Sequence, residues 1–374
     1  MALIVTTAIN VQRRKFLQLA LAGGTLSTLP LVGCGRQQQP LLLSASDDKN
    51  QHTLSAWQLG EGQKFRIPVE QRAHAPIIRP GTDDAIFVAR RPGNAIYIVD
   101  VSAGRLKQQI SAASDRHFYG HAVFSVDGRW LFVPENIYAE QGRGVIGVYD
   151  ATANYQRVDA FDLGGIGPHQ LAMMPDGFTL AIALGGLQTH PDQGRKKLNL
   201  ESMQSALVYL DSRDGNIKDR LESPRRHLSL RHLDVATNGS VVVGAQFNTD
   251  GGEDYSGPMV FSHRAGQPLQ AMQADTGTWL AQHHYIASVA MNHSGSRALT
   301  TSPRGSVVNL WDVSQQRLLN QFRVKDVAGA AYVSAADGFV VSNGLGQLFS
   351  VADSLELIAQ ANATRWDNHL TLHV

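Results

Sequence analysis

The residues that could do chemistry in this chain are histidines, and they recur in register. There are fourteen. His121 lies six residues before Asp127, His169 seven before Asp176, His232 six before Asn238 and His74 six before Pro80. His369 holds the corresponding place near the C-terminal end, while His283 and His284 fall slightly early in a sixth segment. A seventh segment has Val327-Ala328-Gly329 at that point and no histidine. Converging imidazoles bind a transition metal or an anion, since the neutral ring is the commonest metal ligand and suits Cu, Zn, Fe and Ni. The candidate ligand set is therefore His74, His121, His169, His232, His284 and His369. Such sets also need carboxylates to orient the rings. Asp234, two residues after His232, Asp367, two before His369, and Glu135 are available. The competing reading is structural: an imidazole at a repeated position hydrogen-bonds a neighbouring loop and recurs because the repeats are related. No local His-x-x-His or Glu-x-x-His pair decides between the two.

What must position these residues is a repeated hairpin. A hydrophobic strand, a small turn and a second hydrophobic strand recur at Pro76–Arg90, Val123–Asn136, Leu171–Gly185, Leu233–Phe247, Val289–Pro303 and Ala331–Gly344. Copies at roughly 45-residue spacing, without helical periodicity between them, predict a β-propeller with one blade per copy. Third strands follow, among them Ala95–Val101, Val145–Asp150 and Ala206–Asp211. The chain ends supply a seventh blade. Leu41–Ser46, His52–Leu59 and Lys64–Val69 form three strands lacking an inner one, and Asp367–Val374 is a strand without a blade. Pairing the two closes the ring and removes exposed sheet edges. The expected fold is thus all-β, a seven-bladed β-propeller over residues 41–374. Each registered histidine then starts an innermost strand, so that together they form a ring at one mouth of the central channel. Two longer segments, Gln188–Gln204 and Asn248–Gly257, interrupt the rhythm; loops of such length are often functional.

Residues 1–34 read as an export signal rather than as part of the fold. Arg13-Arg14-Lys15 precedes an apolar stretch, Leu17 to Val32, broken by Gly23, Gly24 and Pro30. The arginine pair before Phe16-Leu17 resembles a twin-arginine signal, which exports folded proteins. Leu31-Val32-Gly33-Cys34 resembles the bacterial lipoprotein box, with Cys34 as the acylated residue. An uncleaved anchor is the alternative, though roughly 16 residues is short for a span of about 20. Residues 35–40 read as a polar tether between lipid and domain. The expected setting is therefore periplasmic and membrane-tethered.

Cys34 is the single cysteine, so the mature chain would have no disulfide, thiolate ligand or thiol nucleophile. Loss of Arg13, Arg14 and Lys15 leaves 30 basic against 32 acidic residues, which gives no electrostatic case for nucleic acid. No Gly-x-Ser-x-Gly, phosphate loop or dinucleotide fingerprint is present. His190, Arg195, Lys196 and Lys197 make a basic cluster that reads as a solvated face.

The Pro-Asp-Gly hairpins, the twin-arginine start and the Gly167–Ala172 segment (GPHQLA) together resemble a bacterial family of periplasmic seven-bladed propellers. That family is known as a domain of unknown function within the YVTN/WD40-like group. Its members are often encoded beside imelysin-like and dihaem oxidoreductase-like proteins, so the resemblance implies periplasmic iron handling, redox partners and an iron, copper or haem-related ligand. WD-repeat propellers use a Gly-His structurally, and Gly120-His121 is similar. Propeller lactonases are also similar, through Pro168-His169, Pro175-Asp176-Gly177 and Val133-Pro134-Glu135. That likeness implies a hydrolase using His169 and Glu135 with water, although sugar-phosphate lactonases are cytosolic. The histidine ring is similar to that of nitrous-oxide reductase, whose cupredoxin domain and cysteine ligands have no counterpart here. Three functions stay open: a metal- or ligand-binding module, a lactonase-like hydrolase, and a protein–protein platform with structural histidines.

Overall fold

The computed structural model describes residues 40–48, 51–194, 196–249 and 255–373. The export signal, Arg13, Arg14, Cys34 and nearly all of the tether lie outside them. The chain forms seven antiparallel sheets. Blades II to VII each run from the channel outward in chain order, with innermost strands Ala73–Ile78, Arg116–Phe118 with Val123–Phe124, Pro168–Met173, Leu228–Val235, Ser288–Met291 and Val327–Val333.

Local sequence explains the hairpins. In blade IV the turn Met174-Pro175-Asp176-Gly177 closes with the Gly177 amide on the Met174 carbonyl at 3.0 Å. Gly177 takes a φ of +80°, which a Cβ would strain. The Asp176 carboxylate accepts the amides of Phe178 and Thr179 and starts the next strand. The same closure recurs at Gly128, Gly239 and Gly295.

Blade I is built from both ends of the chain. Leu41–Leu43 pairs with Thr371–His373, and Ser46 and Asp47 pair with Trp366 and Arg365. Leu42, Trp366 and Leu370 then pack on Ala331, Val333, Val340 and Leu348 of blade VII. Trp57 meets Trp366 edge-on at 6.3 Å. Apolar clusters of this kind fill the seams between sheets, so the core is a ring of layers around the channel. One helix was not legible in the sequence: Thr276–Leu280, capped by Asp275, stacks Trp279 on Trp311 at 5.5 Å. At five residues it is too short to show a period.

Candidate metal centre

The innermost strands do not run smoothly past the channel mouth. In blade II, Ala73 pairs with Ala89 but Pro76 with Phe87; in blade IV, Pro168 pairs with Leu184 but Leu171 with Ile182. Blade V shifts between Leu230 and His232. In blade III the strand breaks between Phe118 and Val123, and in blade I between Trp366 and Thr371. Each shift adds unpaired residues, bends the strand and re-aims a side chain. His74, His121, His169 and His369 sit in these irregularities, and His232 directly follows one. Blade VI has no shift and presents Ser288. Blade VII shifts at Ala328-Gly329 and presents no imidazole.

The five rings meet. His121 contacts all four others, with centroids at 5.1 Å to His74, 5.2 Å to His169, 5.6 Å to His232 and 4.6 Å to His369. The circuit continues from His74 to His369 at 4.5 Å, His369 to His232 at 4.9 Å and His232 to His169 at 4.7 Å. None is more than 7% exposed. Ring nitrogens of His74, His121 and His369 lie within 4.8 Å of one another, and so do those of His121, His169 and His232. Small side-chain rotations bring such a triad to the about 2.0–2.1 Å of a metal–imidazole bond. Close packing depends on Gly120, where a Cβ would fall 2.5 Å from the Cβ of His74.

Hydrogen bonds fix three of the rings from behind. His74 Nδ1 donates to Asp367 Oδ1 at 2.6 Å, His232 Nδ1 to Gln170 Oε1 at 3.2 Å, and His369 Nδ1 lies 3.4 Å from Ser288 Oγ. In His74 and His232 this leaves Nε2 as the free electron pair. Nε2 of His121, His232 and His369 and Nδ1 of His169 are buried without a hydrogen-bond partner. A buried polar atom left so costs about 1–3 kcal/mol, and native structures rarely tolerate it. Four such nitrogens fall within the two histidine triads that could hold a metal ion.

Electrostatics keep the rings in the ligating form. Burial, then the neighbouring imidazoles and Arg231, hold His121, His169 and His232 well below the usual histidine range, and burial with His74 and Arg90 does the same for His369. They are neutral at physiological pH. Burial alone would raise the Asp367 carboxyl, but His74, Arg90 and Arg72 outweigh it and hold it well below the carboxylate range. Arg72 Nε donates to Asp367 Oδ2 at 2.7 Å. The array Arg72–Asp367–His74 matches the carboxylate–histidine arrangement that orients metal ligands.

Other residues singled out in the sequence lie elsewhere. His284 is not in the cluster: its ring packs on Phe247 at 5.6 Å and its Nε2 accepts the Tyr255 amide. It belongs to the loop before blade VI, ahead of the strand that reaches the channel. Asp234 holds no imidazole; it accepts the amides of Val235 and Met291 and ties blade V to blade VI. Burial raises its pKa to about 6. Glu135 is a structural anion of blade III. Its Oε1 accepts from Tyr149 and Arg157, and its Oε2 from Arg116 and Arg157. Sequence reasoning passed over Gln170 and Ser288, neutral residues whose one signal is their place, Gln170 beside His169 and Ser288 at the histidine register.

No curated protein matches the chain. Among solved structures, Kuenenia stuttgartiensis hydrazine synthase is similar in fold, with a TM-score of 0.61 at 14% identity over 90% of this chain and 99% of that one. At that identity the likeness concerns architecture alone. The family described as "Protein of unknown function (DUF1513)" matches residues 67–373, and the chain belongs to it.

Proposed function

We propose that this propeller is a metal-binding module whose channel mouth holds a divalent first-row transition ion on the hub histidines. The observation that carries the reading is the set of four unpartnered ring nitrogens gathered on one buried cluster. An all-imidazole, thiolate-free set favours copper over iron at equal supply, following the Irving–Williams order. Rings in mutual contact at 4.5–5.6 Å leave room for ions and none for a porphyrin, so the haem reading is not carried forward. The hydrolase reading is not favoured either, because both oxygens of Glu135 are already engaged. Within this proposal the chain is exported by the Arg13-Arg14 signal and tethered through Cys34 in the periplasm, where metal or redox proteins would be its partners. A twin-arginine route suits a protein that folds, and loads its ion, before export.

The test is metal content of the purified chain by mass spectrometry, with copper, iron and zinc supplied together. His121 belongs to both ligand triads, whereas His169 belongs to one. His121→Ala should abolish uptake, and His169→Ala should reduce it while leaving the fold intact by circular dichroism. Folded protein that binds none of the three metals would end the proposal.

A further inference from the structure

The hub is ringed by arginines, and one of them lacks the partner the others have. On the blade II side, Arg72 and Arg90 face Asp367 Oδ2 at 2.7 and 3.8 Å. On the blade V side, Arg231 is the extra residue of the bulge that turns His232 inward. Among the described residues its side chain makes no hydrogen bond and no ion pair, and its Nε is shut off from solvent without a partner. The residue as a whole is half-buried. Its charge acts on His121, His169 and His232. Burial lowers its pKa to about 10, which still leaves it charged at neutral pH.

An unpaired guanidinium beside neutral imidazoles is costly unless an anion completes it. The neighbouring groups reinforce the demand. Tyr119, whose ring lies 6.0 Å from that of His169, has its hydroxyl pushed up to about 12 by burial and is a neutral donor. Tyr285, 6.4 Å from His232, lies under the guanidinium of Arg304 at 4.8 Å. The carboxylate nearest the rings, Asp367, is already held by His74 and Arg72.

We propose that the channel mouth takes a small oxyanion, gripped by the Arg231 fork on one side and by the hub ion on the other. The Arg231 half stands on its own geometry; the second contact rests on the metal reading above. Arginine's planar donors match two oxygens of a carboxylate, phosphate or sulfate, and an ion on three imidazoles can keep an open position for an oxygen ligand.

The experiment is a calorimetric titration of acetate and of inorganic phosphate into the copper-loaded and metal-free full chain, for wild type, Arg231→Met and Arg231→Lys. Whichever anion binds wild type, Arg231→Met should weaken it at least tenfold without changing copper content, and Arg231→Lys should lie between. Thermal melts add a readout independent of calorimetry: the anion should raise the melting temperature of wild type and not of Arg231→Met. Equal anion affinity in wild type and Arg231→Met, or binding of neither anion to wild type, overturns the proposal. If the chain takes no copper, the metal reading fails, and the metal-free titration still decides the role of Arg231.

Discussion

His74 Nδ1 and Asp367 Oδ1 lie 2.6 Å apart although 293 residues separate them in the chain. One is on the innermost strand of blade II, the other on the segment that closes blade I, so ring closure creates the pair. Replacing Asp367 with Asn removes the negative charge that holds the His74 tautomer and leaves Arg72 and Arg90 without their shared carboxylate. Metal affinity, read by competition with a chelator, should fall about 10- to 100-fold. An unchanged affinity would show that Asp367 is there for closure alone.

The closing strand should also carry the fold. A chain stopped after Thr364 loses every partner of the inner edge of Leu41–Asp48, and with it Trp366 from the seam with blade VII. Cooperative melting should be lost or shifted far down, and proteolysis should begin within blade I. A melting temperature equal to that of the intact chain would refute this.

Glu135 offers a control that separates stability from metal binding. Its carboxylate is fully buried between Arg116 and Arg157, and Gly147 stands so close that a Cβ there would overlap Oε1. Glu135→Gln breaks a buried ion network, at a cost of about 3–5 kcal/mol. Chemical denaturation should report that loss while the surviving folded protein takes up copper normally.

Acid should weaken the fold partly through His117. This ring is buried between the Phe118 carbonyl and the Asn136 amide, and burial, aided by Arg91 and His190, lowers its pKa to about 4. The unfolded chain takes up a proton near pH 6.5, which the folded chain refuses until about pH 4. Its contribution is therefore complete above about pH 6.5 and disappears as pH falls to about 4, in total about 3 kcal/mol. In His117→Gln, the slope of unfolding free energy against pH across that window should be shallower by up to about 1.4 kcal/mol per unit. Parallel slopes for the two proteins would sink the assignment.

Much of the fold was readable because turn chemistry is local. Asp176-Gly177 and its equivalents announce their hairpins, and the strands lacking an inner partner at one end matched the lone strand at the other. Five of the site histidines were readable for the same reason, since position relative to the turn fixes position along the innermost strand. His284 misled because it precedes its strand, where register no longer applies. Asp234 shares a strand face with His232 by parity, yet the bulge lies on the other side of His232, so its carboxylate meets the backbone of blade VI instead. Gln170 and Ser288 had only their place as a signal: an amide and a hydroxyl gain their roles only once neighbouring blades are placed side by side.

His369 and Asp367 sit between the two short strands that complete blade I. They follow every strand of blades II to VII in the chain, so the full set of donors comes together only once this segment is paired with Leu41–Asp48. An ion held by His74, His121 and His369 would therefore report ring closure, whereas the triad of His121, His169 and His232 draws on blades III to V alone.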